Sequence, residues 1–404
     1  MDLIFLGGFF PKNLYEEIIG KSKRQVQYSA NKFQWAFIEG LEKNVQKSLK
    51  LITAPFIGWY PLYYKDLFIS TSAFPHPEDW KQRRMVGFFN LPVVKNVFKY
   101  FNLKKHINEL ISSNADTVII VYSLDIAYLK SALDARKENP RLKVCVIIPD
   151  LHEFPGDSSI LYKLYLKYFE KPSFYRLLNR IDCFIVLSDQ MVEYLKIENK
   201  PWIRIEGLYN STGKFLKKSY KAGGVKSILY TGTLDFKYGI KDLLNAFELI
   251  KSNDYELWIC GGGVGADLVK QKALIDKRIR YFGIVSEAQV SRLQLEATIL
   301  INPRNNEGEF NRYSFPSKTM EYFASGTPTL MHRLEGIPKE YYEYCYIFEN
   351  NDIQSMASTI NFVCELSPDV LMEKGVNAKK FILKNKDSII QCAKVVEMLE
   401  GLSF

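Results

Sequence analysis

The 404 residues contain no C-x-x-C pair and only four histidines, none of them at metal-ligand spacing. A metal site is therefore not expected, and His76, His106 and His332 read as isolated side chains. The six cysteines, Cys145, Cys183, Cys260, Cys345, Cys364 and Cys392, are scattered, and the first three lie in or beside apolar strand-like runs. They read as buried thiols in a reducing compartment. No window reaches 18 consecutive apolar residues, and the start, MDLIFLGGFFPKN, has no basic leader region, long apolar core or small-residue cleavage site. Neither a membrane span nor a secretory leader is expected, which puts the protein in the cytoplasm. Internal repeats, low-complexity tracts and nucleic-acid-binding motifs are also missing, so no nucleic-acid partner is expected.

What is present is a chain that is 47% hydrophobic and 25% charged, the make-up of a globular protein too long for one core. Its net charge of +9 is uneven: residues 1–206 carry +7 and the remainder +2. An anionic partner is expected to meet the first half.

Apolar, β-rich runs alternate with segments of helical spacing, the pattern of a parallel sheet covered on both faces. The first series is LIFLGG (3–8), KLITAPF (50–56), DTVIIVY (116–122), LKVCVII (142–148) and CFIVLS (183–188). A break rich in Gly, Lys and small polar residues, 207–226, reads as a linker. The series then restarts with SILYTGT (227–233), YELWICGGG (255–263), IRYFGIV (279–285), TILINP (298–303), TPTLM (327–331) and CYIFEN (345–350). Two doubly wound α/β domains follow, 1–206 and 227–385. The last segment, 376–402, reads as one long helix with no strand after it, and its end, 386–404, is expected to cross back onto the first domain.

The densest chemistry is YSFPSKTMEYFASGTP (313–328), a strand-to-helix corner. Pro316 suits a helix's first turn, having no N–H to leave unpaired there. Ser317 and Lys318 then lie where unpaired amides and the positive dipole end attract an anion such as a diphosphate. Glu321, one turn on, is placed to accept hydrogen bonds from a ribose diol. The plainer alternative is that Ser317 and Glu321 merely cap the helix.

With its neighbours, this corner resembles glycosyltransferase family 4, retaining enzymes of the two-domain GT-B fold, and especially capsule and exopolysaccharide members carrying P-S-K-x-x-E-Y-x-A-x-G-x-P. The resemblance covers most of 227–350, including YTGTLDFKYGIKDLLNAF (230–247) and IRYFGIVSEAQVSRLQLEATILINPR (279–304). It implies two Rossmann-like domains facing a central cleft, with a C-terminal helix crossing back. It also implies transfer of a sugar from a nucleoside diphosphate sugar to a glycan, lipid-linked or surface polysaccharide precursor, without a cofactor or metal. Carried over by position, Glu321 binds the ribose, and Phe315, Ser317 and Lys318 receive the diphosphate and sugar. Gly232 and Thr233 approach the phosphates, and Gly283 lies in the segment that holds the base. Relatives place an Arg at Thr233 and a Lys at Tyr238, so the diphosphate cations here are expected to be Lys318, Lys237 and Arg304. The family's first glutamate falls on Tyr313, which leaves Glu307 or Glu309 as the sugar contact.

Outside that segment, Asp150 and His152 in IIPDLHEFPGD (147–157) end a first-domain strand, at the edge where open α/β sheets bind ligands. They are the candidate catalytic residues alongside Lys318, His152 ahead of Asp150. Gly7 and Gly8 are expected to let amides approach an acceptor, or else to form an ordinary tight turn. GGGVGA (261–266) reads as a glycine corner. ILYKLYLKYFEKPSFYRLLNRI (160–181) and NVFKYFNLKKH (96–106) interleave cations with aromatics, which suits the anionic inner face of the cell membrane or, alternatively, a helix packed on the sheet. A non-catalytic GT-B subunit that binds nucleotide and supports a partner enzyme is the alternative to a transferase.

Overall fold

A computed structural model describes residues 1–23, 26–47, 49–74, 82–92, 94–112, 115–151, 171–211 and 224–403. The chain divides into two compact units, Met1–Leu208 with Ser388–Phe404, and Tyr209–Asp387. Most of the expected linker, 212–223, lies outside the described residues.

Among the described residues the first unit has ten strands: β1 (Asp2–Gly7), β2 (Lys50–Thr53), β3 (Phe68–Ile69), β4 (Ser72–Ala73), β5 (Arg83–Met85), β6 (Phe88–Phe89), β7 (Thr117–Tyr122), β8 (Leu142–Ile148), β9 (Cys183–Val186) and β10 (Trp202–Arg204). Eight form one sheet in the order β10-β9-β8-β7-β1-β2-β5-β4, parallel except where β4 meets β5. β1, β7 and β9 are buried along their whole length, which is why they read as unbroken apolar runs. β3 and β6 pair separately as a short antiparallel ribbon. The sequence signalled only β1, β2, β7, β8 and β9; the others are two or three residues long, too short for a period to show.

The second unit holds β11 (Lys226–Thr231), β12 (Tyr255–Cys260), β13 (Ile279–Gly283), β14 (Ile299–Asn302), β15 (Thr329–His332) and β16 (Tyr346–Phe348). All are parallel, in the order β13-β12-β11-β14-β15-β16. This is a Rossmann-like order whose direction reverses between β11 and β14, the place where such sheets bind ligands. One core cluster, including Ile228, Leu243, Leu257, Ile299 and Ile360, lies on one face, and a second, including Leu229, Leu300, Phe323 and Tyr341, on the other.

The segment 376–402 is not one helix. It lies in two, Pro368–Asn385 and Ser388–Glu400, separated at Lys386 and Asp387. The break is tertiary: the Tyr209 amide donates to the Lys386 carbonyl, Tyr209 and Asp387 form a bridge, and Lys386 Nζ is 2.6 Å from Glu340. Ser388–Glu400 then joins the first unit, packing on the helix Tyr28–Asn44. Among the described residues no helix is long and apolar enough to cross a membrane. All six cysteines are buried and unpaired.

Gly40 is the close-contact point of that helix pair: a Cβ there would lie 2.5 Å from the Ser388 carbonyl oxygen and 2.7 Å from Cys392 Sγ. Gly40→Val is expected to lower the unfolding free energy by about 1–3 kcal/mol through overpacking. Gly20→Ala, in a helix whose Cβ position is empty, is expected to be neutral or slightly stabilising. Urea unfolding of both variants checks the pair.

Candidate functional site

The C-terminal edge of the second sheet gathers four backbone corners. β11 runs into Gly232, whose N–H donates to the Cys260 carbonyl at the end of β12 (3.0 Å). The Gly261 N–H then donates to the Gly283 carbonyl at the end of β13 (2.8 Å). A Cβ on Gly261, at φ +140°, would lie 1.8 Å from the Gly232 oxygen, and one on Gly239, at φ +77°, 2.2 Å from the Pro303 oxygen beyond β14. The β11, β12 and β14 corners therefore abut through bare backbone. GGGVGA is such a corner, and the helix Ala266–Ile275 starts on it.

Over the switch between β11 and β14 sits the helix Lys318–Ser325. It begins two residues after Pro316, whose carbonyl accepts from the Thr319 N–H (2.9 Å), so the proline lies just before the first turn rather than inside it. Ser317 occupies the cap position with helical backbone (φ −53°, ψ −28°) and its hydroxyl makes no cap bond. Glu321 is drawn to Lys318, with Nζ and Oε2 2.7 Å apart. Neither side chain performs the ordinary capping role, and the first amides of the helix have no acceptor within it. Lys318 reaches toward the sheet edge: burial pushes the Cys260 thiol up to about 11, and the Lys318 charge works against that rise. Cys260 is thus held as a thiol and is no nucleophile at neutral pH.

The helix is anchored beneath by a residue that the motif reading passed over. Tyr322, fully buried, places its hydroxyl 2.8 Å from the Thr231 N–H, which it accepts, and 3.2 Å from the Thr231 carbonyl. That clamps the helix to the end of β11. Only its being an aromatic directly after Glu321 was visible in sequence.

The loop before the helix departs from expectation. Arg304 is not a cation offered to a ligand. It is buried, with Nε on Asn311 Oδ1, Nη2 2.6 Å from Ser314 Oγ, and its guanidinium 4.5 Å from the Phe310 ring centroid. Asn311 in turn donates to the carbonyls of Asn305 (3.1 Å) and Glu307 (2.7 Å). Together they turn 304–314 into a self-bonded loop, because a guanidinium withdrawn from water needs this many partners. Phe315 and Tyr313 are buried as well, and the Phe315 ring lies 5.4 Å from Tyr341, so only its backbone remains for a ligand. Glu307 and Glu309 are exposed on the loop's outer turn.

Of the remaining donor-side candidates, Thr233 is exposed and its carbonyl accepts from the Tyr230 hydroxyl (2.8 Å). Lys237 is exposed and 3.3 Å from Asp235 Oδ2. Gly283 has φ +69° and open space where a Cβ would be.

In the first unit, the Gly8 N–H donates to buried Gln34 Oε1 (2.9 Å), so this amide is not offered to an acceptor. Gly7 and Gly8 are small because Gln34 and the Phe56 ring occupy their Cβ positions, 2.2 Å and 2.3 Å away. Asp150 is exposed at the end of β8, where burial and then its charge push the Tyr122 hydroxyl upward. His152 and most of 160–181, through residue 170, lie outside the described residues. Among the described residues no cluster suited to a metal ion occurs. His106 pairs with Glu109, and burial pushes His332 down to about 4.

Residues 225–365 match the family model described as Glycosyl transferases group 1. The chain carries a glycosyltransferase domain on a GT-B fold. Its fold is similar to that of sucrose-phosphate synthase from Thermosynechococcus elongatus, with a TM-score of 0.69 and 14% identity over 100% of both chains. The lipopolysaccharide outer core galactosyltransferase WaaB is similar at TM-score 0.63 and 13% identity over 99% of both chains. Anabaena HepE, solved with UDP, is similar at TM-score 0.63 and 12% identity over 100% of both chains. No curated protein matches by sequence. The matched region contains every corner of the second sheet's edge, and together with the fold it supports sugar transfer from a nucleotide sugar.

Gly261→Ala is expected to cost more than Gly283→Ala, although both put alanine at positive φ. The second pays only the left-handed strain, about 1–2 kcal/mol, whereas the first also drives a methyl into the Gly232 carbonyl. Thermal melts of both variants, with and without nucleoside diphosphate, give the order directly.

Proposed function

We propose that the protein is a retaining glycosyltransferase that moves a sugar from a nucleoside diphosphate donor to an acceptor glycan, a lipid-linked or surface polysaccharide precursor. The observation that carries this reading is the start of the helix Lys318–Ser325, where the N-terminal end of the helix and the Lys318–Glu321 pair stand at the reversal between β11 and β14. A diphosphate there accepts from the amides and from Lys318, which trades part of its bond to Glu321 for a doubly charged partner. Glu321, relieved of some of that bond, accepts from the ribose hydroxyls. The glycine corners at Gly232 and Gly261, whose amides are bonded to the Cys260 and Gly283 carbonyls, form the floor beneath that helix start. The open face at Gly283 suits the base.

In retaining transfer on one face of the sugar, the bond from the anomeric carbon to the diphosphate oxygen breaks as the acceptor oxygen bonds to that carbon. The acceptor's proton passes to the leaving diphosphate. The protein's work is to stabilise the charge that builds on that oxygen, which preoriented amides and an ammonium group do without reorganising. Asp150 and His152 are the first-unit candidates for contact with the donor sugar. Support for a surface-glycan acceptor comes from WaaB, a galactosyltransferase of the lipopolysaccharide outer core, and support for a uridine nucleotide from HepE, solved with UDP.

Lys318→Ala and Glu321→Ala are each expected to lower donor turnover about tenfold to a hundredfold, the loss of one charge-assisted hydrogen bond. Lys318→Ala acts through the diphosphate and is expected to weaken UDP itself, whereas Glu321→Ala weakens uridine and UDP alike. Wild-type turnover in both variants would overturn the site. Tight nucleotide binding with no transfer or hydrolysis of any nucleotide sugar would favour a non-catalytic subunit.

A further inference from the structure

The first sheet reverses as the second does. The chain leaves β1 for β2 on one side and returns with β7 on the other, so the crevice beyond the ends of β1 and β7 is where a sheet of this order takes a ligand. What stands there is different. The Gly8 N–H donates to Gln34 Oε1, the Phe10 N–H to Asn31 Oδ1 (2.7 Å), and the Phe9 carbonyl accepts from the Thr53 hydroxyl (2.5 Å). These bonds commit the backbone that follows β1 to the unit's own interior. Two lysines beyond β2 are committed as well. The helix Val94–Leu110, which holds most of the 96–106 stretch, packs against β2 and β6. Its Lys95 Nζ is 2.5 Å from the Ile57 carbonyl, and Lys99, 2% exposed, has Nζ 3.4 Å from both the Ala54 carbonyl and the Tyr128 hydroxyl.

Rings and one hydroxyl remain. Tyr122 ends β7, its ring centroid 6.2 Å from that of Phe33, on the helix Tyr28–Asn44, and 6.1 Å from that of Phe56, beyond β2. Phe33 and Phe56 are half-buried, and the Phe56 ring lies over Gly8, 2.3 Å from where a Cβ would stand. Tyr122 is 3% exposed, yet its hydroxyl has no hydrogen-bond partner among the described residues. A phenol this deep ordinarily finds one. Ser123, next in the chain, holds left-handed backbone (φ +79°) with its N–H on the Ile147 carbonyl (3.0 Å), which fixes the direction in which β7 ends. Burial and then the charge of Asp150 push the Tyr122 hydroxyl upward, so it stands protonated, as a donor, at neutral pH. Half-open rings with one donor beside them suit a pyranose, whose C–H face is apolar and whose rim carries hydroxyls. The exposed carboxylate of Asp150 opposes a second negative charge at this edge.

We propose that Phe33, Phe56 and Tyr122 hold the ring of the sugar that receives the transfer, and that this sugar is uncharged. The two phenylalanine rings cover its C–H face, the Tyr122 hydroxyl donates to one of its oxygens, and Asp150 disfavours a uronic acid or a phosphorylated sugar. The proposal rests on the reading of the protein as a glycosyltransferase. It moves the expected acceptor contact from the glycine corner to the aromatic side chains around it.

The test is saturation-transfer NMR of the full chain with the methyl pyranosides of glucose, galactose and mannose, and with methyl glucuronide and glucose 6-phosphate as charged counterparts. A neutral pyranoside is expected to take up saturation, most strongly at its ring C–H protons, and the charged pair to bind about fivefold less well. Tyr122→Phe, which keeps the ring contacts, is expected to weaken pyranoside binding about threefold to tenfold with an unchanged or raised melting temperature. Phe33→Ala is expected to weaken it by about the same factor. UDP affinity is expected to keep its wild-type value in both variants. No signal from any neutral pyranoside overturns the inference, as do equal binding of the charged pair or a Tyr122→Phe variant that binds like wild type. A signal lost in Lys318→Ala and kept in Tyr122→Phe would put the sugar at the donor site and overturn it too. Wild type that binds a pyranoside through Tyr122 but never UDP would keep this sugar site and remove the transferase reading, whereas UDP binding with no pyranoside would do the reverse.

Discussion

Three strand ends in the second unit come so close that only peptide backbone fits between them. Gly261 turns with its Cα almost against the Gly232 carbonyl, Gly239 does the same against Pro303, and the amide of Gly261 is bonded to Gly283. Side chains at these points would push the corners apart and with them the floor beneath the helix Lys318–Ser325. Tyr322 completes the arrangement by bonding the helix to both backbone groups of Thr231. The amides, Lys318 and Glu321 hold their positions relative to the sheet edge because that floor is rigid.

Charge in this unit is sorted by how much water each cation loses. Arg304 sits in the loop where a ligand-binding cation was expected, yet Asn311, Ser314 and the ring of Phe310 consume it. Its value is in shaping 304–314, the connection that delivers the chain to Pro316. Lys318, half in solvent, keeps a single carboxylate partner and can exchange it. A guanidinium with fixed donors suits the first task and a mobile ammonium the second.

The first unit solves the same problem with lysines, and the solution shows on its surface. Carbonyls beyond β2 take Lys95 and Lys99 inward, and the helix carrying them presents valine and phenylalanine to solvent. Gly8 is likewise tied inward, to Gln34, so that corner is structural. Two sheets of related order thus put their polar groups to different uses.

Most of the long strands, the restart after residue 226 and the P-S-K-x-x-E corner were legible in the sequence, because period, glycine placement and helix-start chemistry are local properties. The short strands β3 to β6 and β10 were not, since pairings of two or three residues are decided by partners far away in the chain. Nor was the interruption at Lys386, where Tyr209 draws the backbone out of a sequence that is helical by pattern. Local pattern likewise told that Arg304, Phe315 and the lysines of 95–105 were present but not which way each faces. Composition and spacing determined the fold class and the corner. Tertiary structure decided which polar groups are spent inside, because a buried donor must find its acceptor among residues that only folding brings near.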